Sequence, residues 1–422
     1  DGTWTHTAAR TGYAAFAEGT PWQEDNNLEI ANTTILRMDI VPKVLKVTAD
    51  FTYKGIRAQR RRMENLYTYY TGIDVSGQNN IDSSLEDWRY DTNYMSSNIV
   101  GTYTPKLTEK HDLNIVAGWN IEDREYKNQK TYRKGNLYPS NPSFTLMDGD
   151  YISATSGGNT WGLVGLFSRV NYAYDGRYLA ELSARYDGSS KFPSNSQWGF
   201  FPSASLGWRL SEEPWFKDPT EKWLDNLKIR ASIGSLGNAN ISPYQFLETM
   251  SIKKSSVLIN GVQSPYTDVP DLIPDDITWE KVVTYNLGLD LEFLNSRLNI
   301  TGDVYRRNTE DLYTVGPNLP HVLGSAAPKG NYASLKTKGW ELSVNWRDSF
   351  ILGGKPFNYG IRGMVWDSRS WITDYFNETG DLTTYYKGME IGEIWGFRTA
   401  GIYASNAEAK NGPAYNFFKN GE

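Results

Sequence analysis

The sequence contains no cysteine, which removes disulfide frameworks, thiolate metal sites and cysteine nucleophiles. Its three histidines, His6, His111 and His321, lie far apart and none sits in an HExxH arrangement, so a zinc hydrolase is not indicated. Neither a GxSxG elbow nor a P-loop occurs. No apolar run approaches the eighteen or so residues of a membrane-spanning helix, and 3.6-residue periodicity with caps is nearly missing. That excludes a helical membrane protein but leaves a β-barrel open, because barrel strands alternate and never read as hydropathic. A formal charge of −6 argues against a general nucleic-acid binder. The opening "DGTWTHTAAR" has neither an initiator Met nor a charged-then-apolar leader, and reads as a mature or incomplete chain.

What the chain does have is aromatic residues, glycine and alternation. Among 422 residues there are 38 Gly, 28 Tyr and 15 Trp. In "YNLGLDLEFLNSRLNITGDVY", residues 285–305, Tyr285, Leu287, Leu289, Leu291 and Phe293 fall on one parity, and Asn286, Gly288, Asp290 and Glu292 on the other. The alternation resumes after "LNSR" with Leu298, Ile300, Gly302 and Val304, which predicts a β-hairpin with unusually tall arms. The same pattern recurs around Leu45, Leu113, Tyr178, Ala204 and Trp340. The chain is all-β, with twelve to thirteen strands.

Connection lengths carry more information than the strands. Shorter connections fall at 40–43, 104–111, 174–177, 294–297 and 347–356, with a medium one at 211–226. Longer segments at 57–91, 125–158, 188–199, 236–280, 309–337 and 369–393 interchange with them. In an up-and-down sheet this puts short turns at one end and long loops at the other, as outer-membrane barrels do. The apolar parity then faces lipid, represented by Leu287, Leu289, Leu291, Trp208 and Trp340. The polar parity lines a wet lumen, represented by Arg185, Arg209 and Glu292. Trp198, Phe200 and Phe201 before one strand, and Trp215, Phe216 and Trp223 after it, fit interfacial girdles. A soluble or surface-attached glycan-binding β-protein also alternates its faces and remains the competing reading.

Several stretches resemble the SusC/RagA branch of TonB-dependent outer-membrane transporters. These are "RYDGSSKFPSNSQWGFFPSASLGWRLSEEPWFKD" (185–218), "LKIRASIGSLGNANISPYQF" (227–246), "ITWEKVVTYNLGLDLEFLNSRLNITGDVYRRNTEDLY" (277–313), "NYASLKTKGWELSVNW" (331–346) and "KGMEIGEIWGFRTAGIYASNAEA" (387–409). All five blocks come in family order, whereas the first 180 or so residues match in texture only. The resemblance implies an antiparallel transmembrane β-barrel in the outer membrane of a Gram-negative bacterium, with no catalytic chemistry and no cofactor. It also implies energy from the TonB–ExbB–ExbD system, a SusD-like surface lipoprotein as lid, and a bulky oligosaccharide or oligopeptide as solute. Family barrels have about 22 strands and a plug domain. The whole chain, 1–422, is therefore expected to be the middle of one barrel domain, truncated at both ends and without a plug.

Motifs outside the resemblance are weaker. Asp271, Asp275 and Asp276 read as a solvated acidic turn rather than a calcium or glycosidase site, "DGSS" at 187–190 as turn chemistry, and "RAQRRR" at 57–62 as a solvated strand extension or an anion-binding cluster. Six aromatics in long segments are candidate contacts for solute or lid: Tyr266, Tyr313, Trp371, Tyr375, Tyr385 and Tyr386. Aromatic faces stack on sugar rings and also bury peptide side chains, so residue type does not choose the solute.

Overall fold

The computed structural model describes residues 21–411 apart from 66–67, 73–74, 79–82, 139, 150–151, 221–222, 269, 271, 275, 318, 321, 323–326, 397 and 400. His6, Asp271, Asp275 and His321 therefore lie outside the described residues. The chain runs through β1 (Trp22–Val41), β2 (Leu45–Glu64), β3 (Thr68–Gly72), β4 (Val75–Gln78), β5 (Ser84–Tyr103) and β6 (His111–Lys134). It continues through β7 (Ile152–Tyr174), β8 (Tyr178–Ser189), β9 (Trp198–Arg209), α1 (Pro214–Thr220), β10 (Leu224–Asn238), β11 (Ile252–Ile259) and β12 (Val262–Thr267). The remainder is β13 (Glu280–Phe293), β14 (Leu298–Val315), β15 (Lys329–Leu352), β16 (Lys355–Asp374) and α2 (Asn406–Asn411).

Twelve strands form one sheet in the order β1-β2-β5-β6-β7-β8-β9-β10-β13-β14-β15-β16, while β3-β4 and β11-β12 are separate local hairpins. Successive sheet strands pair antiparallel, as the alternation predicts. Residues 42–44, 104–110, 175–177, 210–223, 294–297 and 353–354 connect them at one end. At the other end lie 65–83, 135–151, 190–197, 239–279 and 316–328. The tight turns have local causes. Asp175 (φ 53°) with Gly176 (φ 64°), and Gly353 (φ 60°) with Gly354 (φ 79°), adopt the left-handed pair that a two-residue hairpin needs. In the 294–297 turn, Leu294, Asn295 and Ser296 all have positive φ.

Register fixes the two faces. Leu289 pairs with Ile229, which pairs with Trp208, which pairs with Tyr178; Leu287 pairs with Val304, which pairs with Trp340. Leu291 lies opposite Leu227 and Ile300. Leu287, Leu289, Leu291, Trp208 and Trp340 thus share one apolar face. The opposite face carries Arg185, Glu181, Ser205, Arg230, Asp290 and Asp303.

The strands are longer than alternation suggests, reaching 24 residues in β6 and β15. Residues 57–64, 125–134, 152–158, 309–315, 329–337 and 369–374, assigned to long loops from the sequence, are strand. In β6 the apolar parity runs from Leu113 to Ile121, and beyond it "DREYKNQKTYRK" is polar on both faces. A band of roughly ten residues per strand is what a bilayer requires. The rest is a wall rising past it.

The described residues hold small local clusters rather than one central core. Phe192, Phe201, Ile241, Ile277 and Trp279 bury one another at the long-connection end, with Leu163, Phe246 and Tyr313 packed against them. Each such side chain contributes about 1.5–3 kcal/mol. Phe201, at 6% exposure, is on the polar parity and inside this cluster, so it is not a girdle residue. Trp198 and Phe200 are exposed, with Trp198 stacked on Tyr186. At the short-turn end Trp215 meets Phe216 edge-on, and Trp223 stacks on Phe293 at 6.0 Å.

Candidate functional site

Two charged networks are built into the polar face. Arg230 lies opposite Gly288 on β13, which lies opposite Asp303 on β14. With no side chain at 288, the guanidinium lies flat across the strand. It donates through Nε and Nη2 to Asp290 (2.8 and 3.0 Å) and through Nη1 and Nη2 to Asp303 (3.1 and 3.1 Å). Asn286 donates to the same Asp303 at 2.8 Å. One cation thus holds two carboxylates, leaving one net negative charge on three strands.

The second set of polar contacts runs from β8 across β7, β6 and β5 to β2. Arg185 donates to both oxygens of Asp187 (3.1 and 2.8 Å) and to Asn120 (3.0 Å), and its guanidinium sits 5.3 Å from the Phe167 ring centroid. The group meets over Gly165, where a Cβ would collide with Asn120, Asp187 and Arg185. Tyr94 donates to Glu122 at 3.0 Å, and Asn98 to Asp50 at 2.8 Å. Sequence reasoning identified Arg185 but missed Arg230, Asp290 and Asp303 as a group. Alternation places them on one face, but only the β10–β13–β14 register brings them together.

The other two expected lumenal residues sit near the short turns. Arg209 stands opposite Lys228. Glu292 accepts from Asn226 (3.4 Å) and Ser296 (3.0 Å), which ties it to the 294–297 turn. Nearby, Glu213 is 5% exposed and accepts from Tyr178, from Trp208 Nε1 (3.0 Å) and from Arg177 (3.0 Å). The hydrogen bonds from Tyr178 and Trp208, ahead of the Arg177 charge, hold its carboxyl below the usual range.

At the long-connection end the chain is pinned by side chains that replace strand pairing. Asn331 donates to the Thr278 carbonyl at 3.0 Å and accepts from the Thr278 N–H at 2.9 Å. Trp279 Nε1 donates to the Gln197 carbonyl at 3.0 Å. Lys191 donates to the Ala239 carbonyl at 3.2 Å and lies 5.1 Å from the Trp161 ring. Burial, then the charge of Arg124, pushes its ammonium below the ordinary lysine value.

The six candidate aromatics separate into four places. Tyr266 is exposed on β12. Tyr313 packs on the Phe192 cluster and donates to Gln245 at 3.1 Å. Trp371 is in β16, opposite Lys336 on the parity of Trp340. Tyr375 meets Tyr385 edge-on at 5.7 Å, and Tyr386 donates to Glu393 at 2.9 Å. Residues 57–62 are a strand extension. There Arg60 pairs with Asp25 (2.6 Å), Arg57 with Asp91 (3.4 Å) and Arg61 with Asp87 (3.8 Å).

A tall antiparallel sheet with one apolar face, a polar face of buttressed ion pairs and segregated connections leaves few families to consider. The family described as TonB dependent receptor-like, beta-barrel, matches residues 2–414. The chain belongs to this family. TonB-dependent receptor P3 of Formosa agariphila is 31% identical over 287 residues, covering 67% of this chain and 27% of that protein. TonB-dependent receptor SusC of Bacteroides thetaiotaomicron is 34% identical over 243 residues, 55% of this chain and 22% of SusC. The structure of the RagAB peptide transporter superposes with a TM-score of 0.74 at 20% identity, over 86% of this chain and 38% of that one. The chain therefore spans about a quarter of the length of these two curated relatives. Among the described residues no helix is long and apolar enough to cross a membrane. The sheet is a TonB-dependent barrel fold, and its family consists of outer-membrane receptors and transporters rather than enzymes.

Proposed function

We propose that this chain supplies part of the wall of a TonB-dependent importer that takes a bulky nutrient, an oligosaccharide or oligopeptide, across the outer membrane of a Gram-negative bacterium. The carrying observation is the coincidence of two asymmetries. One face of the sheet carries an apolar band and the other holds ordered charge networks. The long connections also gather at a single end. In this reading the apolar band, with Leu287, Leu289, Leu291, Trp208 and Trp340, meets lipid. The polar face, with Arg185, Arg209, Glu292 and Arg230, lines the lumen. The short turns face the periplasm.

A SusD-like lipoprotein lid docks on the long-connection end, where Tyr266, Tyr313, Tyr375, Tyr385 and Tyr386 supply aromatic contacts, and TonB–ExbB–ExbD supplies energy. The name of SusC, a TonB-dependent receptor, supports this class, and the residue types at the long-connection end do not choose between glycan and peptide. Fractionation of cells expressing the full-length protein tests it. A heat-modifiable band in detergent-extracted outer membrane is expected. Release by a salt wash would instead identify a peripheral or soluble β-protein and sink the reading.

A further inference from the structure

On the apolar-face parity, immediately beyond the apolar band towards the long connections, three cations stand in direct register. Arg306 of β14 pairs with Lys338 of β15, and Lys338 pairs with Arg369 of β16. One step below them on the same parity are Val304, Trp340 and Asp367; one step above are Asn308, Lys336 and Trp371. Directly opposed side chains in an antiparallel pair sit about 5 Å apart, and like charges there are destabilising. Elsewhere on the rising wall the same problem is solved by alternating sign, as in Arg57 opposite Asp91 and Arg61 opposite Asp87.

Here compensation is thin. Arg369 reaches Glu390 only at 3.8 Å and Asp367 at 3.9 Å, and Arg306 donates to the neutral Asn308. A further carboxylate, Glu310, stands opposite Lys281. The chain beyond β16 folds back along it, the Gly388 N–H donating to the Ile372 carbonyl at 2.8 Å and the Ile372 N–H to the Met389 carbonyl at 2.9 Å, and this brings Lys387 to the same place. Together Lys336, Lys338, Lys387, Trp371, Ile372, Thr373 and Gly388 enclose a groove of about 460 Å³ with no carboxylate in its lining. Lys336 lies 6.0 Å from the Trp371 ring.

We propose that this groove and the Arg306–Lys338–Arg369 row bind the phosphate groups of a glycolipid of the outer leaflet. The inference rests on the membrane orientation proposed above, which puts the row at headgroup height and the band beneath it among acyl chains. A phosphate bridging two of these cations relieves their mutual repulsion and accepts charge-assisted hydrogen bonds from lysine and arginine. Trp371 and Trp340 supply the amphipathic ring surface that suits a headgroup boundary. A soluble anion would satisfy the same charges, but it would make no use of the apolar band continuous with the groove.

Full-length protein in non-ionic detergent, followed by native mass spectrometry, separates these sources. The probes are bisphosphorylated lipid A, the same lipid without phosphates, and inorganic phosphate. The wild type is expected to retain the phosphorylated lipid preferentially. K336Q/K338Q/K387Q is expected to weaken it by roughly fivefold for each cation removed, while remaining a heat-modifiable outer-membrane band. The single variant K338E provides the same readout with minimal change to the wall. Equal retention of the dephosphorylated lipid, or unchanged affinity in both variants, overturns the lipid site while leaving the importer reading intact. Inorganic phosphate binding as tightly as the lipid overturns it in favour of a free-anion site. Absence of the wild-type protein from the outer membrane overturns the orientation itself.

Discussion

Arg230 and Gly288 face each other across β10 and β13, and the guanidinium occupies the space that a side chain at 288 would need. A Cβ built on Gly288 would lie 2.5 Å from Arg230 Cζ. The glycine is therefore a structural partner of the ion-pair network. Gly288→Ala should push Arg230 off both carboxylates and destabilise the barrel by about 1–3 kcal/mol, the usual cost of overpacking. Gly302→Ala on the next strand is the control, because its nearest neighbour, Leu342 Cδ1, lies at an ordinary 3.9 Å. Denaturant unfolding of the full-length protein in detergent distinguishes them; equal midpoints would dissociate the glycine from the network.

Removing the cation should expose the opposite imbalance. Arg230→Met leaves Asp290 and Asp303 facing each other without compensation. Because these side chains are a quarter or so exposed, the loss is expected at about 1–3 kcal/mol rather than the larger cost of a buried pair. The triple change R230M/D290N/D303N should recover most of it. A triple variant no more stable than the single one would mean that the carboxylates do not repel each other there.

How much of this was legible in the sequence depends on what the backbone alternates against. Leu287, Leu289 and Leu291 declare the strand because one apolar face and one polar face impose period two. Beyond the band both faces are polar, so "KNQKTYRK" in β6 carries no alternation and its extension reads as a loop. The Leu294–Asn295–Ser296 turn was placed correctly although its three positive-φ residues include no glycine. The Phe192–Phe201–Trp279 cluster was not legible at all. It unites two connections, 190–197 and 239–279, with Phe201 of β9, which sits on the parity expected to be polar.

Side-chain polarity on the two faces should have unequal consequences. Leu289→Arg is expected to destabilise folding into lipid vesicles by about 2–4 kcal/mol if the position lies near the bilayer midplane. Ser232→Arg, exposed on the polar face, should cost far less. Similar penalties at both positions would reverse or abolish the assignment of the lipid face.

The Glu213 anchor makes stability at the short-turn end depend on pH. Its carboxyl is held low in the folded protein by Tyr178, Trp208 and Arg177, so the unfolded chain takes up a proton first on acidification. The contribution is fully present above the ordinary glutamate value of about 4.3. It is lost as pH falls from there through the lowered folded value. Wild-type unfolding should ease across that acidic window, whereas Glu213→Gln should be weaker at neutral pH and lack this part of the slope. Parallel pH profiles for the two proteins would show that the carboxylate charge contributes nothing there.

The β11–β12 hairpin is where the proposed recognition of a surface lipoprotein can be separated from folding. Its strands expose Ile252 at 77%, Leu258 at 63% and Val262 at 62%, around an Asn260–Gly261 turn with φ of 51° and 79°. An isolated two-stranded hairpin is marginal in water, and apolar residues bunched on one suit a partner surface more than solvent. The buried cluster below it uses Ile241 and Ile277, which flank the hairpin in sequence and are not part of it. At the base of the hairpin the Asp268 N–H donates to the Ser251 carbonyl at 2.9 Å, so the two ends already meet. Excising 252–267 and joining those ends should leave heat-modifiability and the unfolding midpoint close to wild type. If this hairpin carries the contact, co-purification of the surface lipoprotein should fall sharply and uptake with it. If association and uptake both survive this excision and comparable deletions in 135–151, 316–328 and 375–393, the lid does not bind at this end.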